Sequence, residues 1–258
     1  MEKLAVGGVH LEVQRLGRGG GRPGDTIVFL HEGLGSVAMW REWPAQVCAA
    51  TGLAGVVYSR RGYGQSDPIA DVRGQGRHRP DYMHREALEV LPALLAELGL
   101  QRPVLLGHSD GGTIALVHAA HQPVHACIVM APHVVVEDVS VAAITEARDA
   151  YLNGGLRERL ARYHADVDNA FWQWNDIWLD PAFRAFDIRA ETRNISAPVL
   201  AIQGVDDPYG TLRQVEEIGA GDVERLVLQG CGHSPHKDQP EATLGAIVRF
   251  LDALSPRA

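Results

Sequence analysis

The sequence predicts an α/β fold: a mainly parallel, eight-stranded sheet with helices on both faces and one helical insertion. Three observations carry this. Short apolar runs rich in β-branched residues recur between segments of helical spacing. Two alternating runs at the start read as a hairpin. One long interval, from Pro132 to about Asn194, has no strand-like run and is too long for a simple connection.

In chain order, Lys3 to Val6 and Val9 to Gln14, joined by Gly7 and Gly8, form the opening hairpin. Gly17 to Gly24 is a glycine-rich turn. Buried strands are expected at Thr26 to Leu30, Gly55 to Tyr58, Pro103 to Leu106, Ala126 to Met130, Val199 to Gln203 and Glu224 to Leu228. Helices are expected at Ala38 to Ala50, Tyr82 to Leu98, Asp110 to His121, Leu212 to Ile218 and Pro240 to Leu254. Pro44 disturbs the first of these, because it lacks the N–H that a helix interior needs. The long interval reads helical at Val141 to Tyr151 and Leu156 to Asp166. An aromatic patch follows, made of Phe171, Trp172, Trp174, Trp178, Phe183 and Phe186. The expected organisation is therefore a core of residues 1–131 and 195–258, with residues 132–194 as a helical lid.

A chain of 258 residues can bury one large core. Its 46% hydrophobic and 22% charged residues are those of a globular protein rather than a disordered one. The formal charge of -8 repels polyphosphate, which argues against nucleic acid as a partner. Arg77, His78 and Arg79 make the nearest basic cluster and read as a solvated loop. No run approaches the roughly 18 apolar residues of a membrane span, and none resembles a signal-peptide core. Cys48, Cys127 and Cys231 are widely spaced, which fits reduced thiols and a cytoplasmic location. The expected partner is a small-molecule substrate, with no membrane contact and a homodimer left open.

Chemistry concentrates at Gly107-His108-Ser109-Asp110-Gly111, a G-x-S-x-G sequence between an apolar run and a helix-like segment. A serine on so sharp a turn needs small neighbours, and the following helix directs its positive end toward the hydroxyl. A serine hydroxyl is a weak nucleophile until a base takes its proton. Among twelve histidines, His233 in Gly230-Cys231-Gly232-His233-Ser234 follows a strand and falls at the same sheet edge. His236 is its rival. His118, His121 and His125 have metal-like spacing, but Pro123 breaks the helix and no cysteine or carboxylate cluster joins them. No metal or cofactor is expected. The acid that orients the imidazole is sought in Gly204-Val205-Asp206-Asp207-Pro208, where Asp207 is preferred and Asp206 stays open. Glu137 and Asp138 form a further alternative. The backbone N–H of Asp110 and that of Gly33 or Leu34, from His31-Glu32-Gly33-Leu34-Gly35, are the expected oxyanion donors.

With these residues the chain resembles the α/β-hydrolases, in particular the compact, lid-bearing class that includes esterases, lactonases and carbon–carbon bond hydrolases. The resemblance spans nearly the whole chain. It rests on His31-Glu32-Gly33, Arg61-Gly62-Tyr63-Gly64-Gln65-Ser66-Asp67, the turn at Ser109, the acidic loop at Asp207, and Gly232-His233 followed by Asp238-Gln239-Pro240. Glu32 stands where glycine is commoner, and Ser59 where an aspartate often precedes the Arg-Gly segment.

The resemblance implies a serine hydrolase with Ser109, Asp207 and His233 as its triad, acting on a small, largely apolar ester, thioester or lactone. His31, Glu32, Trp172, Trp174 and Trp178 are the expected substrate-binding residues, and the aromatic patch from Phe171 to Trp178 is read as lid core, as the wall of an apolar pocket, or as both. Glu32 and Asp110 are read either as an acidic pocket mouth or as hydrogen-bonded structural carboxylates. Cleavage of a carbon–carbon bond in a dioxo acid is one alternative, and a ligand-binding protein without catalysis is another.

Overall fold

The computed structural model describes residues 1–17 and 22–254. Residues 18–21 of the expected glycine-rich turn lie outside them. The strands are β1 (Glu2–Val6), β2 (Val9–Leu16), β3 (Thr26–Leu30), β4 (Ala54–Tyr58), β5 (Val104–His108), β6 (Ala126–Met130), β7 (Val199–Gly204) and β8 (Val223–Leu228). They form one eight-stranded sheet in the order β1-β2-β4-β3-β5-β6-β7-β8. β1 and β2 pair antiparallel, as do β2 and β4, and every other pair is parallel. β3 to β7 are buried along their whole length, which is why they read as unbroken apolar runs rather than alternating ones. β8, at the sheet edge, carries exposed Glu224 and Arg225.

The helices are α1 (Trp43–Thr51), α2 (Tyr82–Arg85), α3 (Leu91–Glu97), α4 (Asp110–His121), α5 (Asp138–Asn153), α6 (Leu156–Leu160), α7 (Val167–Trp178), α8 (Arg213–Glu216), α9 (Pro235–Asp238) and α10 (Pro240–Leu254). Two cores result, one on each face of the sheet. Val28 and Leu30 of β3 point into the core with α2, α3, α4 and the insertion, while Ile27 and Phe29 point into the core with α1 and α10.

Proline decides where the helices depart from expectation. The segment Ala38 to Ala50 is not one helix: a 3-10 turn at Val37–Trp40 ends at Arg41, with φ 53°, and α1 then carries Pro44 in its first turn. Only there does the missing N–H cost no intrahelical bond. The expected helix Tyr82 to Leu98 is continuous but widens into a π turn at Glu86–Val90, just ahead of Pro92. The wider turn accommodates the pyrrolidine ring. Helix stops at Leu160 rather than running to Asp166, whose side chain instead caps α7 by accepting the Asn169 N–H at 2.9 Å.

Between β6 and β7 lies the helical insertion that carries α5, α6 and α7. It is tied down from the side of the expected basic loop. Arg73 pairs with Asp176 at 2.7 Å, and its guanidinium lies 4.0 Å above the Trp172 ring. Arg77 pairs with Asp180 at 3.0 Å. The loop therefore clamps α7 instead of being merely solvated. His164 bridges two further loops, accepting the Gly64 N–H at Nδ1 and donating from Nε2 to the Leu34 carbonyl, each at 3.0 Å.

Candidate active site

Parallel strands β3, β5, β6 and β7 all end at one edge of the sheet, and the loops that follow them converge there. Ser109 directly follows β5 with φ 53° and ψ -120°, a conformation that strains a residue with a Cβ. The surrounding glycines make room for it. A Cβ on Gly107 would come within 2.2 Å of the Gly111 carbonyl oxygen, and one on Gly111 within 2.2 Å of the Leu30 carbonyl oxygen. The turn is held from the next strand by the Ser109 N–H, which donates to the Met130 carbonyl at 2.9 Å.

His233, in the loop after β8, brings its Nε2 to 2.9 Å from the Ser109 hydroxyl. Its Nδ1 lies 2.8 Å from Oδ2 and 3.0 Å from Oδ1 of Asp207. A carboxylate only accepts, so Nδ1 carries the hydrogen and Nε2 is left free to take the serine proton. The expected Asp206 alternative is exposed in the turn after β7, with its backbone N–H bonded to the Cys231 carbonyl at 2.9 Å. Asp207 is buried and also accepts from Gln203 Nε2 and from the Tyr209 N–H, each at 2.8 Å. Burial alone would push its carboxyl up. The hydrogen bond and charge of His233 and the Tyr209 N–H outweigh that and hold it below the ordinary value.

The other candidates fall elsewhere. Glu137 binds the Thr211 N–H at 2.9 Å and Gln214 Nε2 at 2.6 Å, and Asp138 pairs with Arg184. His236 is buried among Trp40, Trp43 and His108, with ring centroids at 5.1, 5.9 and 4.9 Å. His118 donates to the Ala87 carbonyl and His121 pairs with Glu191, so the two spend their ring nitrogens on separate partners.

Asp110, next in chain to Ser109, is buried and fully engaged. Tyr82 donates to Oδ2 at 2.8 Å, Trp178 Nε1 donates to Oδ1 at 3.2 Å, and Arg60 stands 3.9 Å away. Burial nevertheless pushes its carboxyl up, against the opposing Arg60 charge. Of the two expected readings for Asp110, the hydrogen-bonded one matches its position.

Arg60 organises the loop after β3. Its guanidinium donates to the His31 carbonyl at 2.6 Å and the Glu32 carbonyl at 3.2 Å, and its backbone N–H donates to His31 Nε2 at 3.0 Å. His31 is wholly buried under this bridge, edge-on to Tyr63, and does not line the cavity. The expectation that it contacts substrate is thus corrected: its ring nitrogens are spent on the Glu32 carbonyl and on the Arg60 N–H from the segment after β4. At Ser59 the missing carboxylate is supplied by Glu12 of β2, whose Oε2 accepts the Ser59 hydroxyl at 2.7 Å.

A cavity of about 130 Å³ opens at Ser109, with Glu32, Gly33, Leu34, His133, Ile144, Trp174, Trp178 and Tyr209 around it. Trp172 is absent from this wall. On α7 it is two positions from Trp174, which is about 200° of helical rotation, so it packs on Tyr151, Phe171 and Arg73. The aromatic patch was legible in the sequence, but its helical phase separates wall from packing. Trp174 lies so close to the loop after β3 that a Cβ on Gly33 would meet its Nε1 at 2.2 Å.

Glu32 keeps a carboxylate on the cavity wall. Burial opposes its ionisation, but contact with His108 and the Lys237 ammonium at 3.8 Å hold it well below the usual range. His133, which the sequence reading passed over, follows β6 and faces Trp178 at 4.8 Å and His233 at 5.9 Å between centroids. Burial, with the His233 charge adding to it, pushes its imidazole down to about 3, so it is neutral at pH 7. The available signal was its place right after a buried parallel strand, at the edge Ser109 shares.

Residues 27–246 match the model of the alpha/beta hydrolase family. The chain is 24% identical to sn-1-specific diacylglycerol lipase ABHD11 of Mus musculus, over 88% of this chain and 80% of that protein. It is 35% identical to serine hydrolase BPHL of Mus musculus over 47% of this chain and 38% of that one. Among solved structures, the enol-lactonase from Burkholderia xenovorans LB400 superposes with a TM-score of 0.75 at 22% identity, covering 97% of this chain and all of that one.

Proposed function

The chain belongs to the alpha/beta hydrolase family, and from that premise we propose that it is a serine hydrolase using Ser109, His233 and Asp207. The substrate class is a small, largely apolar ester, thioester or lactone. One observation carries the reading: an unbroken hydrogen-bonded path from the Ser109 hydroxyl through the His233 imidazole to the buried Asp207 carboxylate.

In this mechanism the Ser109 oxygen attacks the substrate carbonyl carbon while His233 Nε2 takes the serine proton. Asp207 keeps the imidazole in the tautomer that can accept, and its charge stabilises the imidazolium that forms. The backbone N–H of Asp110, at the N-terminus of α4, receives the developing oxyanion together with the N–H of Gly33 or Leu34. His233 then protonates the leaving group, giving an acyl-enzyme. A water, deprotonated by the same imidazole, releases the acid. Residues 132–194 act as a lid, since Ile144, Trp174 and Trp178 supply the wall facing Ser109.

The cavity supports a compact, uncharged acyl group. It is small, and Leu34, Ile144, Trp174, Trp178 and Tyr209 give it an apolar wall. That wall weighs against a dioxo acid and its carbon–carbon cleavage, because a buried carboxylate needs polar partners. The complete hydrogen-bonded path weighs against a protein that only binds.

A fluorophosphonate probe tests the assignment. Wild-type protein should be labelled on Ser109 and should hydrolyse short p-nitrophenyl esters, acyl thioesters or lactones. Ser109→Ala should lose both. Undiminished turnover by that variant rules the mechanism out.

A further inference from the structure

His108 immediately precedes Ser109 and is buried. Its Nε2 lies 2.7 Å from the backbone carbonyl oxygen of His233. A carbonyl oxygen only accepts, so Nε2 bears a hydrogen. On the other side of the ring, Nδ1 is buried without a hydrogen-bond partner among the described residues and faces Oε2 of Glu32 at 3.5 Å. A bare lone pair aimed at an ionised carboxylate would be both repelled and unsatisfied, and a proton on Nδ1 turns the same contact into an ion pair.

We propose that Glu32 and His108 share one proton, with His108 held as an imidazolium, and that the pair is a positioning device for His233. The proposal rests on the reading of Ser109, His233 and Asp207 as the catalytic residues. Each member of the pair belongs to a different part of the site. Glu32 precedes the expected oxyanion donors Gly33 and Leu34, and His108 precedes the nucleophile. The His233 carbonyl lies in the loop of the base. Asp207 holds the His233 side chain from the ring and His108 holds its backbone, so the imidazole is located from both ends. Glu32 has a second function in this arrangement. A lone positive charge on His108, whose ring is 5.1 Å from that of His233, would disfavour the imidazolium that catalysis forms there, and the carboxylate neutralises it.

The charged and titratable groups facing the pair come from several elements. Lys237 approaches Oε1 of Glu32 at 3.8 Å from α9 and competes for its charge. His236, also on α9, sits edge-on to His108 at 4.9 Å and is kept neutral by burial. The charge of Glu32 also reaches His31 beside it and His164 from the insertion. Arg60 holds the Glu32 carbonyl rather than its carboxylate.

The test combines protein labelled with 15N-histidine and steady-state kinetics. Comparison with a His108→Gln spectrum assigns the His108 ring signals. In wild type at pH 7 both His108 ring nitrogens should carry hydrogen. In Glu32→Gln, whose amide can donate to a bare Nδ1, His108 should become a neutral Nε2–H imidazole at the same pH. His108→Ala should lower kcat on the order of 10²-fold with KM nearly unchanged, the scale expected when a reacting group is misplaced. His108→Gln should recover activity relative to His108→Ala, since its amide still reaches the His233 carbonyl. A neutral His108 in wild type, or an unchanged charge state in Glu32→Gln, overturns the shared proton. An unchanged kcat in His108→Ala overturns the positioning role. Both readouts are separate from the Ser109→Ala result that decides the serine mechanism.

Discussion

Tyr82 donates its hydroxyl hydrogen to Oδ2 of Asp110 at 2.8 Å, anchoring from α2 the residue that follows Ser109 at the start of α4. Trp178 donates to the other carboxylate oxygen. The backbone N–H proposed as an oxyanion donor therefore belongs to a residue fixed from two sides.

Tyr82→Phe removes one of these donors and leaves Asp110 Oδ2 buried, beyond hydrogen-bond reach of Arg60 at 3.9 Å. The expected loss of stability is about 1–3 kcal/mol, the cost of an unsatisfied buried acceptor. Thermal or urea unfolding reads it directly. The same variant should lower kcat more than it raises KM, because the displaced N–H is the proposed oxyanion donor.

Asp207→Asn should reduce kcat on the order of 10³–10⁴-fold, since an amide can hold His233 in the wrong tautomer. The carboxyl of Asp207 is depressed in the folded protein, so its contribution to stability is present above the unfolded value of about 3.9. It is lost as pH falls through the lower folded value. The stability gap between wild type and variant should therefore be open at pH 7 and close as the pH drops below about 4. Unfolding curves at several pH values measure it.

Buried neutral histidines make the fold sensitive to acid. Burial pushes His78 down to about 4 and His133 to about 3, and lowers His31 well below its ordinary value. In the unfolded chain they titrate near 6.5. Below that pH the unfolded state binds protons the folded state refuses, so stability should fall as pH drops from about 6.5 toward 4 and 3. Thermal melts between pH 8 and pH 4 should show a Tm that is level at first and then declines.

Trp174→Ala opens the cavity wall and should shift preference toward longer acyl chains. The ratio of kcat/KM for a longer over a shorter ester should rise about tenfold or more, the scale of one methylene in an apolar pocket. Trp172→Ala should leave that ratio unchanged, because its ring packs on Tyr151 and Arg73 outside the cavity.

Much of the candidate site's arrangement was legible because its signals are local. Gly107 to Gly111 between a buried run and a helix describes a turn that few other sequences of that length can form. The sequence favours Asp207 but leaves Asp206 open, since adjacent residues have the same chemistry and only the backbone direction after β7 tells them apart. His133 carried no motif. Its relevance comes from β6 lying beside β5, a neighbour relation that no short stretch encodes. Trp172 and Trp174 belong to one aromatic patch in the sequence, and the 100° that each helical position turns decides which is wall and which is packing.

By itself the sequence determined the layered α/β class, the long insertion and the serine turn, because apolar periodicity and glycine spacing act within a few residues of themselves. Only the tertiary structure decided which carboxylate meets His233, which tryptophans face Ser109, and that Glu32 stands against His108. Those contacts join segments distant in the chain, and their geometry is set by strand order, loop direction and close packing rather than by any local preference.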